Sequence, residues 1–342
     1  MKVVRPIVRT DLEVLVALIA DGGPGLTTLP PDEERLARRI AASEASFAGR
    51  AERPEETYLF AMEDLDSGRL AGVCGIDAAV GLRQAWYSYR VGLAVHASKE
   101  FGIFTQTPTL FLSNDLTGQS ELCSLLLHPD FRKAGAGSLL SKSRFLFMAE
   151  HRPRFAAKVI AELRGVCDGE GRSPFWESLG RRFFSMDYSR ADYLTGIGHK
   201  AFVAELMPKH PLYTSFLAPE AQAVIGHTHE DTQPARRLLE QEGFRYEGHV
   251  DIFDAGPVLE IGVDDVSAIR KSRHFTAAVG TPVGDVPWLV SNTSLEGYRA
   301  SVVTGGPSGD SFALPAATLA ALGLEAGGTL RAVALAPADR TA

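Results

Sequence analysis

The chain has 342 residues, 45% of them hydrophobic, enough for a sizeable buried core and for either one large domain with an appendage or two domains. Its 35 Lys and Arg stand against 42 Asp and Glu, a formal net charge of −7, and no basic block is interleaved with aromatics, which argues against a nucleic-acid partner. Cys74, Cys123 and Cys167 are an odd number, far apart and without a CxxC pair, so the pattern reads as a reducing cytoplasm rather than a disulfide framework. The opening "MKVVRPIVRTDLEVLVALIADGG" is interrupted by Arg5, Arg9, Asp11 and Glu13 and is expected to be neither a signal peptide nor a membrane span.

In chain order, "VVRPIV" predicts a short strand, and "TDLEVLVALIAD" predicts a helix with Thr10 and Asp11 as cap candidates and apolar residues at Leu12, Leu15, Val16 and Ile19. "GGPGLTTLP" is a loop, and a second helix is expected from Asp32 to about Phe47. "ETYLFAMEDL" and "RLAGVCGIDAAVG" read as a hairpin turning at Ser67 and Gly68, followed by strands in "WYSYRVGLAVHAS" and "TPTLFLSNDL". "ELCSLLLHP" is a nearly continuous apolar run, the pattern of a buried central strand, and Ala136 to about His151 is helical. "KVIAELRG" predicts a strand, and "SPFWESLGRRFF" a helix capped by Ser173 with Pro174 in its first position. Beyond it, "KAFVAELM" reads as a strand, "APEAQAVIG" and "TQPARRLLEQEGF" as helices, and "RYEGHVDIFDAGPVLEIGV" as strands broken at Gly256 and Pro257. Helices interrupting a mixed sheet point to an α/β or α+β fold. The composition then shifts toward Ala, Gly, Leu and Pro, so the expected division is a main domain over 1–275, with a core motif at 121–150 and an extension at 190–275, and a small β-rich C-terminal domain over 276–342.

Where the apolar strand gives way to the helix, the chain reads "HPDFRKAGAG". Gly135 and Gly137 allow several backbone N–H groups to turn toward one anion, the helix N-terminus adds its unpaired N–H groups and dipole, and Arg132 adds a charged donor. The Walker A spacing GxxxxGK is missing, and the dinucleotide pattern GxGxxG fails at Leu140. A glycine turn that caps a helix and binds nothing is the plain alternative.

"RKAGAG" between strand and helix resembles the pyrophosphate loop of the GNAT acyl-CoA N-acyltransferases. The resemblance implies a GNAT-like fold in which Arg132, Lys133, Gly135, Ala136, Gly137 and Ser138 hold the coenzyme A pyrophosphate and the strand from Cys123 to Leu127 lies along the pantetheine arm. Further segments, "LFLSND", "LLSKSRFLFMAEHR", "SPFWESLGRRFFSMDYSRADYLTG", "FVAELMPKHPLYT" and "EGFRYEGHVDIFDAGP", resemble in the same order the arginine N-succinyltransferase family over about residues 1–272. The C-terminal extension is similar to that of the β subunit of a two-subunit arginine/ornithine succinyltransferase. The resemblance implies succinyl transfer from succinyl-CoA to the α-amino group of L-arginine, with ornithine a further possible acceptor, by direct attack of the amine on the thioester. Succinyl-CoA is then a co-substrate with no permanently bound cofactor or metal, and the protein an oligomer with itself or a paralogous subunit. Leu125 matches the family's succinyl-CoA position, with Leu127 beside it on the same strand, and His229 matches its proton donor.

The residues are consistent with that chemistry. Many GNAT enzymes protonate the leaving thiolate from a tyrosine in "FYxxxGF", but "FWESLGR" places Trp176 there and "LLEQEGF" places Leu239, neither of which gives up a proton. His229 has the side chain suited to the task near neutral pH, although a solvated loop histidine is the plain reading. His227 makes only an HxH pair, too little for a metal. Cys123 sits in an apolar run without a base at recognisable spacing and reads as a small core residue rather than a nucleophile. Asn114, Asp115, Glu121, Asp251 and Asp254 are candidates for the acceptor, with ordinary turn and strand-edge roles as the alternative. Two other functions fit the loop: a different acyl-CoA-dependent amine N-acyltransferase, or a non-catalytic acyl-CoA-binding subunit.

Overall fold

The computed structural model describes residues 1–21, 29, 32–132, 135–196 and 205–335. Among them, fifteen strands form one mixed sheet. The N-terminal strands are β1 (Lys2–Pro6), β2 (Thr57–Asp64), β3 (Arg69–Asp77), β4 (Ser88–Ser98) and β5 (Ile103–Ser113). Then come β6 (Ser120–Leu127), β7 (Lys158–Glu162), β8 (Leu212–Tyr213), β9 (Arg245–Val250) and β10 (Pro257–Gly262). The last five are β11 (Arg273–Val279), β12 (Val283–Asn292), β13 (Ala300–Gly306), β14 (Ser311–Leu314) and β15 (Thr329–Ala334). Their order across the sheet is β14-β11-β15-β12-β13-β1-β2-β3-β6-β7-β10-β9-β4-β5-β8. Among the described strands, only β6 with β7 and β11 with β14 run parallel.

The alternation of β2 explains the layering. Leu59 and Ala61 pack with Leu15, Leu18, Leu36 and Ile40 of helices α1 (Leu12–Asp21) and α2 (Glu33–Phe47), while Tyr58, Phe60 and Met62 pack with Phe145, Leu146, Phe147 and Met148 of α3 (Ala136–Glu150). α3 is covered nearly all round, with twelve buried residues from Ala136 to Met148, so its sequence carries no polar stripe. Asp32 caps α2 by accepting the Arg35 N–H at 2.9 Å, and the helix ends at Phe47 as expected.

The first helix begins differently from its prediction: a 3₁₀ turn over Arg9–Asp11 precedes it, and Asp11 caps that turn by accepting the Val8 N–H at 2.9 Å. The helix predicted over "SPFWESLGRRFF" splits into Pro174–Ser178 and Gly180–Phe184. Gly180 sits against the Trp176 ring, where a Cβ would lie 2.2 Å from Cε3, and that close approach accompanies the break. The strand predicted in "KAFVAELM" falls largely outside the described residues, and in its described part Glu205 and Leu206 are helical and Met207 is a bend.

The C-terminal strands have their own cluster, with Phe275, Val290, Phe312, Leu319 and Leu330 at its centre. They join the rest of the sheet where Val4 of β1 pairs with Ala300 of β13. Ser301 Oγ donates to Lys2 O at 2.7 Å, and Tyr298 packs edge-on to Phe60 and Phe147 while its hydroxyl donates to Ser143 O of α3 at 2.6 Å. At the other end, the β4–β5 hairpin leaves Leu93, Val95, Phe101, Ile103 and Phe104 exposed. No described helix is long and apolar enough to cross a membrane.

Candidate active site

The site forms where two parallel strands part. β6 and β7 are in register only at Ser120 with Val159 and Glu121 with Ile160, so beyond Glu121 the β7-facing edge of β6 has no strand partner among the described residues. On its other side β6 stays paired to β3, with a register shift between Val73 and Gly75. Ser124 takes up the extra length with φ of 58°, left-handed for a residue that carries a Cβ. Gly75 opposite leaves room for Cys123, since a Cβ there would lie 3.0 Å from Sγ. The bulge thus turns Leu125–Leu127 away from β7 and opens a cleft.

Two cavities occupy this cleft. The larger, about 660 Å³, runs along Leu125, Leu126 and Leu127, past Arg132, Gly137 and Leu140, to Asp231, Pro234, Arg237 and Leu238 on the facing helix Gln233–Glu242 and the turn before it. The smaller, about 190 Å³, lies deeper between Cys123, Ser124 and Arg144 on one side and Tyr188, Asp192, Asp251 and Asp254 on the other. Leu125 and Ala235 line both cavities.

The loop at the mouth of the larger cavity holds most of the expected anion-binding residues. Gly135 is left-handed, with φ of 74°, in the N-cap position of α3, so a Cβ there would strain the turn. Arg132 and Gly137 line the cavity, and Arg132 Nε donates to Leu127 O at 3.1 Å, folding the side chain against the end of β6. Ala136 and Ser138 are buried beneath the loop, and the Ser138 hydroxyl has no hydrogen-bond partner among the described residues. Lys133 lies outside the described residues. Leu125 and Leu127 are half-buried and packed against the main core.

His229 lies on the turn that closes the cleft. Its N–H donates to Arg164 O at 2.9 Å, and Thr228 bridges to Gly165, so the turn extends the sheet where β7 ends. Its Nδ1 accepts the Asp231 N–H at 3.2 Å, which leaves Nε2 to carry the proton of the neutral ring. The side chain is 18% exposed and lines neither cavity, but Asp231 lines the larger and Thr232 the smaller. The structure therefore brings His229 beside the cleft by its backbone neighbours.

The acidic wall of the smaller cavity is built by the turn between β9 and β10. Asp251 Oδ1 accepts the N–H groups of Phe253 and Asp254 at 2.6 and 2.8 Å. Asp254 accepts from Gly256 N–H at 2.8 Å, from Gly165 N–H at 2.7 Å and from the Tyr188 hydroxyl at 3.2 Å. Gly256 is required there, because a Cβ would lie 2.0 Å from Leu163 O. Burial raises the pKa of Asp254 and of Asp251 beside it, and burial together with the Asp254 charge pushes Asp192 up to about 7. Of the acceptor candidates, Glu121, Asp251 and Asp254 thus line one cavity, whereas Asn114 and Asp115 line neither. Tyr188, Asp192, Arg144 and Arg164 also line it and were not singled out from sequence, because they come from three segments far apart in the chain that only the fold brings together.

Cys123 is buried, burial pushes its thiol up to about 12, and Arg39 Nη2 donates to Sγ at 3.2 Å. It therefore stays a thiol at neutral pH, in keeping with a packing role. Trp176 is buried with its Nε1 donating to Met186 O at 2.9 Å, and Leu239 lines the smaller cavity without a proton to give. No group of three or more His, Cys, Asp or Glu among the described residues is arranged to hold a metal ion.

Comparison with known proteins bears on the whole chain. Residues 2–268 match the family described as arginine N-succinyltransferase beta subunit, and residues 273–334 match its C-terminal domain. The chain is 55% identical to the arginine N-succinyltransferase of Enterobacter sp. (strain 638) and 54% identical to that of Citrobacter koseri, in each case over 100% of both chains. Among solved structures, it is similar to arginine/ornithine succinyltransferase subunit AI from Pseudomonas aeruginosa, with 38% identity, 98% of each chain covered and a TM-score of 0.90.

Proposed function

The chain belongs to the arginine N-succinyltransferase family, and from that premise we propose how its cleft carries a succinyl group from succinyl-CoA to the α-amino group of L-arginine. The observation that supports the reading best is that the two cavities meet at Leu125 and Ala235, one shaped for a long, partly apolar donor and the other lined by acids. The donor lies in the larger cavity. Its pantetheine arm pairs with the open edge of β6 over Leu125–Leu127, as an added strand would. Its pyrophosphate rests on the N–H groups of Gly135–Ser138 and on Arg132, with the positive end of α3 behind them.

The thioester carbonyl then falls near Leu125, at the junction. Arginine enters the smaller cavity, where Asp192, Asp251 and Asp254 meet its guanidinium. Its neutral α-amine attacks the carbonyl carbon, the C–N bond forms, the C–S bond breaks, the sulfur takes the Nε2 proton of His229, and the proton shed by the nitrogen returns to that ring nitrogen, so the ring ends neutral as it began. Assembly with a second copy or a paralogous chain uses the exposed apolar residues of the β4–β5 hairpin.

The test is a panel in which thiol release is followed with succinyl-, acetyl- and butyryl-CoA against arginine, ornithine and lysine. The reading expects succinyl-CoA with arginine to be the fastest pair. Release with another donor in preference would indicate a different N-acyltransferase, and CoA binding without release for any pair would indicate a non-catalytic subunit.

A further inference from the structure

Arg144 is the one side chain on α3 that reaches the smaller cavity, and its setting is unusual for a cation. It is only 2% exposed. Its Nε donates to Ser141 O at 3.1 Å, Nη2 to Ser141 Oγ at 3.1 Å, and Nη1 makes a long contact of 3.4 Å to Gly75 O. Among the described residues it forms no ion pair, whereas Lys142, two positions earlier on the same helix, is buried against Glu242 at 2.7 Å. Three of its five N–H groups are thus engaged, all by neutral oxygens. Burying a guanidinium without a counter-charge is costly, and a fold retains one where an anion arrives to meet it. Burial accordingly lowers the pKa of this group, and no carboxylate offsets the effect.

The position of Arg144 selects the anion. Leu140, one helical turn before it on the same face of α3, lines the larger cavity, and Cys123, Ser124 and Leu125 of β6 lie with it around the smaller one. It therefore stands just past the junction, on the donor's side, while Asp192, Asp251 and Asp254 stand on the other side. A succinyl chain carries its free carboxylate two methylene groups beyond the thioester carbonyl. With the donor's pantetheine arm along β6, on which this step rests, the geometry points to Arg144 as the residue that pairs with the terminal carboxylate of a dicarboxylic acyl donor and so selects succinyl-CoA over neutral acyl-CoAs of the same length.

The test compares succinyl-CoA with butyryl-CoA, which has a methyl group in place of the carboxylate, in wild type, Arg144→Lys and Arg144→Met. In Arg144→Met, kcat/KM for succinyl-CoA falls by about 100-fold, the scale of losing one partner of a buried charge pair, while butyryl-CoA changes by less than about 3-fold and the KM for arginine is unchanged. Arg144→Lys keeps the charge, loses the fork and falls between the two. Equal losses with both donors would mean a merely structural role. A raised KM for arginine, with agmatine becoming as good an acceptor as arginine, would mean that Arg144 pairs with the acceptor's carboxylate instead. Either result overturns the assignment. Should Arg144→Met fail to fold, the dissociation constants of wild type decide, since equal affinity for succinyl-CoA and butyryl-CoA also overturns it. A wild-type chain that binds succinyl-CoA far more tightly than butyryl-CoA but succinylates no arginine would leave this assignment standing and sink the arginine reading alone.

Discussion

A departing thiolate must be protonated, and in the proposed mechanism that proton comes from the Nε2 of His229, whose ring is oriented by the Asp231 N–H on Nδ1. His229→Ala is expected to lower kcat by about 100-fold or more, the usual share of a positioned general acid, with succinyl-CoA affinity nearly unchanged. Steady-state turnover and a direct binding titration check this, and unchanged turnover would remove His229 from the mechanism. Asp192 carries a second prediction. Its folded pKa, raised to about 7, lies above the 3.8 of an exposed aspartate, so between those values the folded chain binds more protons than the unfolded one. Its contribution to stability is therefore lost as pH rises from about 4 to about 7 and is constant beyond. In Asp192→Asn, urea midpoints should fall less over that window than in wild type, and parallel profiles would contradict the raised pKa. Single residues were legible where their placement was written locally: the spacing of "RKAGAG" puts Arg132, Gly135 and Gly137 at the strand-to-helix junction, where the structure has Arg132 and Gly137 lining the larger cavity. Arg144, Tyr188 and Asp192 were not, because the cavity they share is assembled from segments distant in the chain and no local spacing joins them.

Between elements, α3 and the helix Gln233–Glu242 form the two walls of the larger cavity, and a buried pair fixes their spacing. Lys142 Nζ lies 2.7 Å from Glu242 Oε1, and Glu242 Oε2 also accepts the Ala268 N–H at 2.6 Å. Lys142→Met leaves the Glu242 carboxylate buried without its cation, which should cost about 3–5 kcal/mol in denaturant unfolding. Lys142→Met with Glu242→Gln should recover much of that loss, since the remaining group is neutral and still accepts from Ala268. No recovery would mean that Lys142 stabilises by packing alone. Most of these elements could be read from periodicity and caps, including α2 from Asp32 and the hairpin at Gly68. What could not be read was the parting of β6 from β7: the bulge at Ser124 depends on Gly75 of β3, a residue distant in the chain, and no local pattern in "ELCSLLL" encodes it. The single helix expected over "SPFWESLGRRFF" fails for a similar reason, since the Gly180–Trp176 contact is made by the folded packing.

Across the whole molecule, the C-terminal strands are tied to the N-terminal ones by one sheet and one aromatic cluster. Tyr298 is fully buried, stacks edge-on against Phe60 and Phe147, and bonds to the backbone of α3. Tyr298→Ala should destabilise the chain by about 3–5 kcal/mol, the cost of an aromatic cavity, and Tyr298→Phe by about 1 kcal/mol for the hydroxyl alone. Both are measurable by denaturant unfolding, and a Tyr298→Ala effect confined to the C-terminal strands would show that the two parts unfold separately. The compositional shift near residue 275 was legible in the sequence, but the dependence of the main core on the C-terminal strands was not, because complementarity between Phe147 and Tyr298 has no local sign.

That dependence has a temporal side. Phe60 and Phe147 leave the ribosome about 150 residues or more before Tyr298 does, which at synthesis rates of about 5–20 residues per second is on the order of ten seconds. Throughout that interval β1 has an open edge where β13 will pair, and α3 has an uncovered aromatic face. For this protein, then, competition between folding and aggregation is set during synthesis, and slowing translation between residues 150 and 300 should lower soluble yield more than the same delay placed after residue 306.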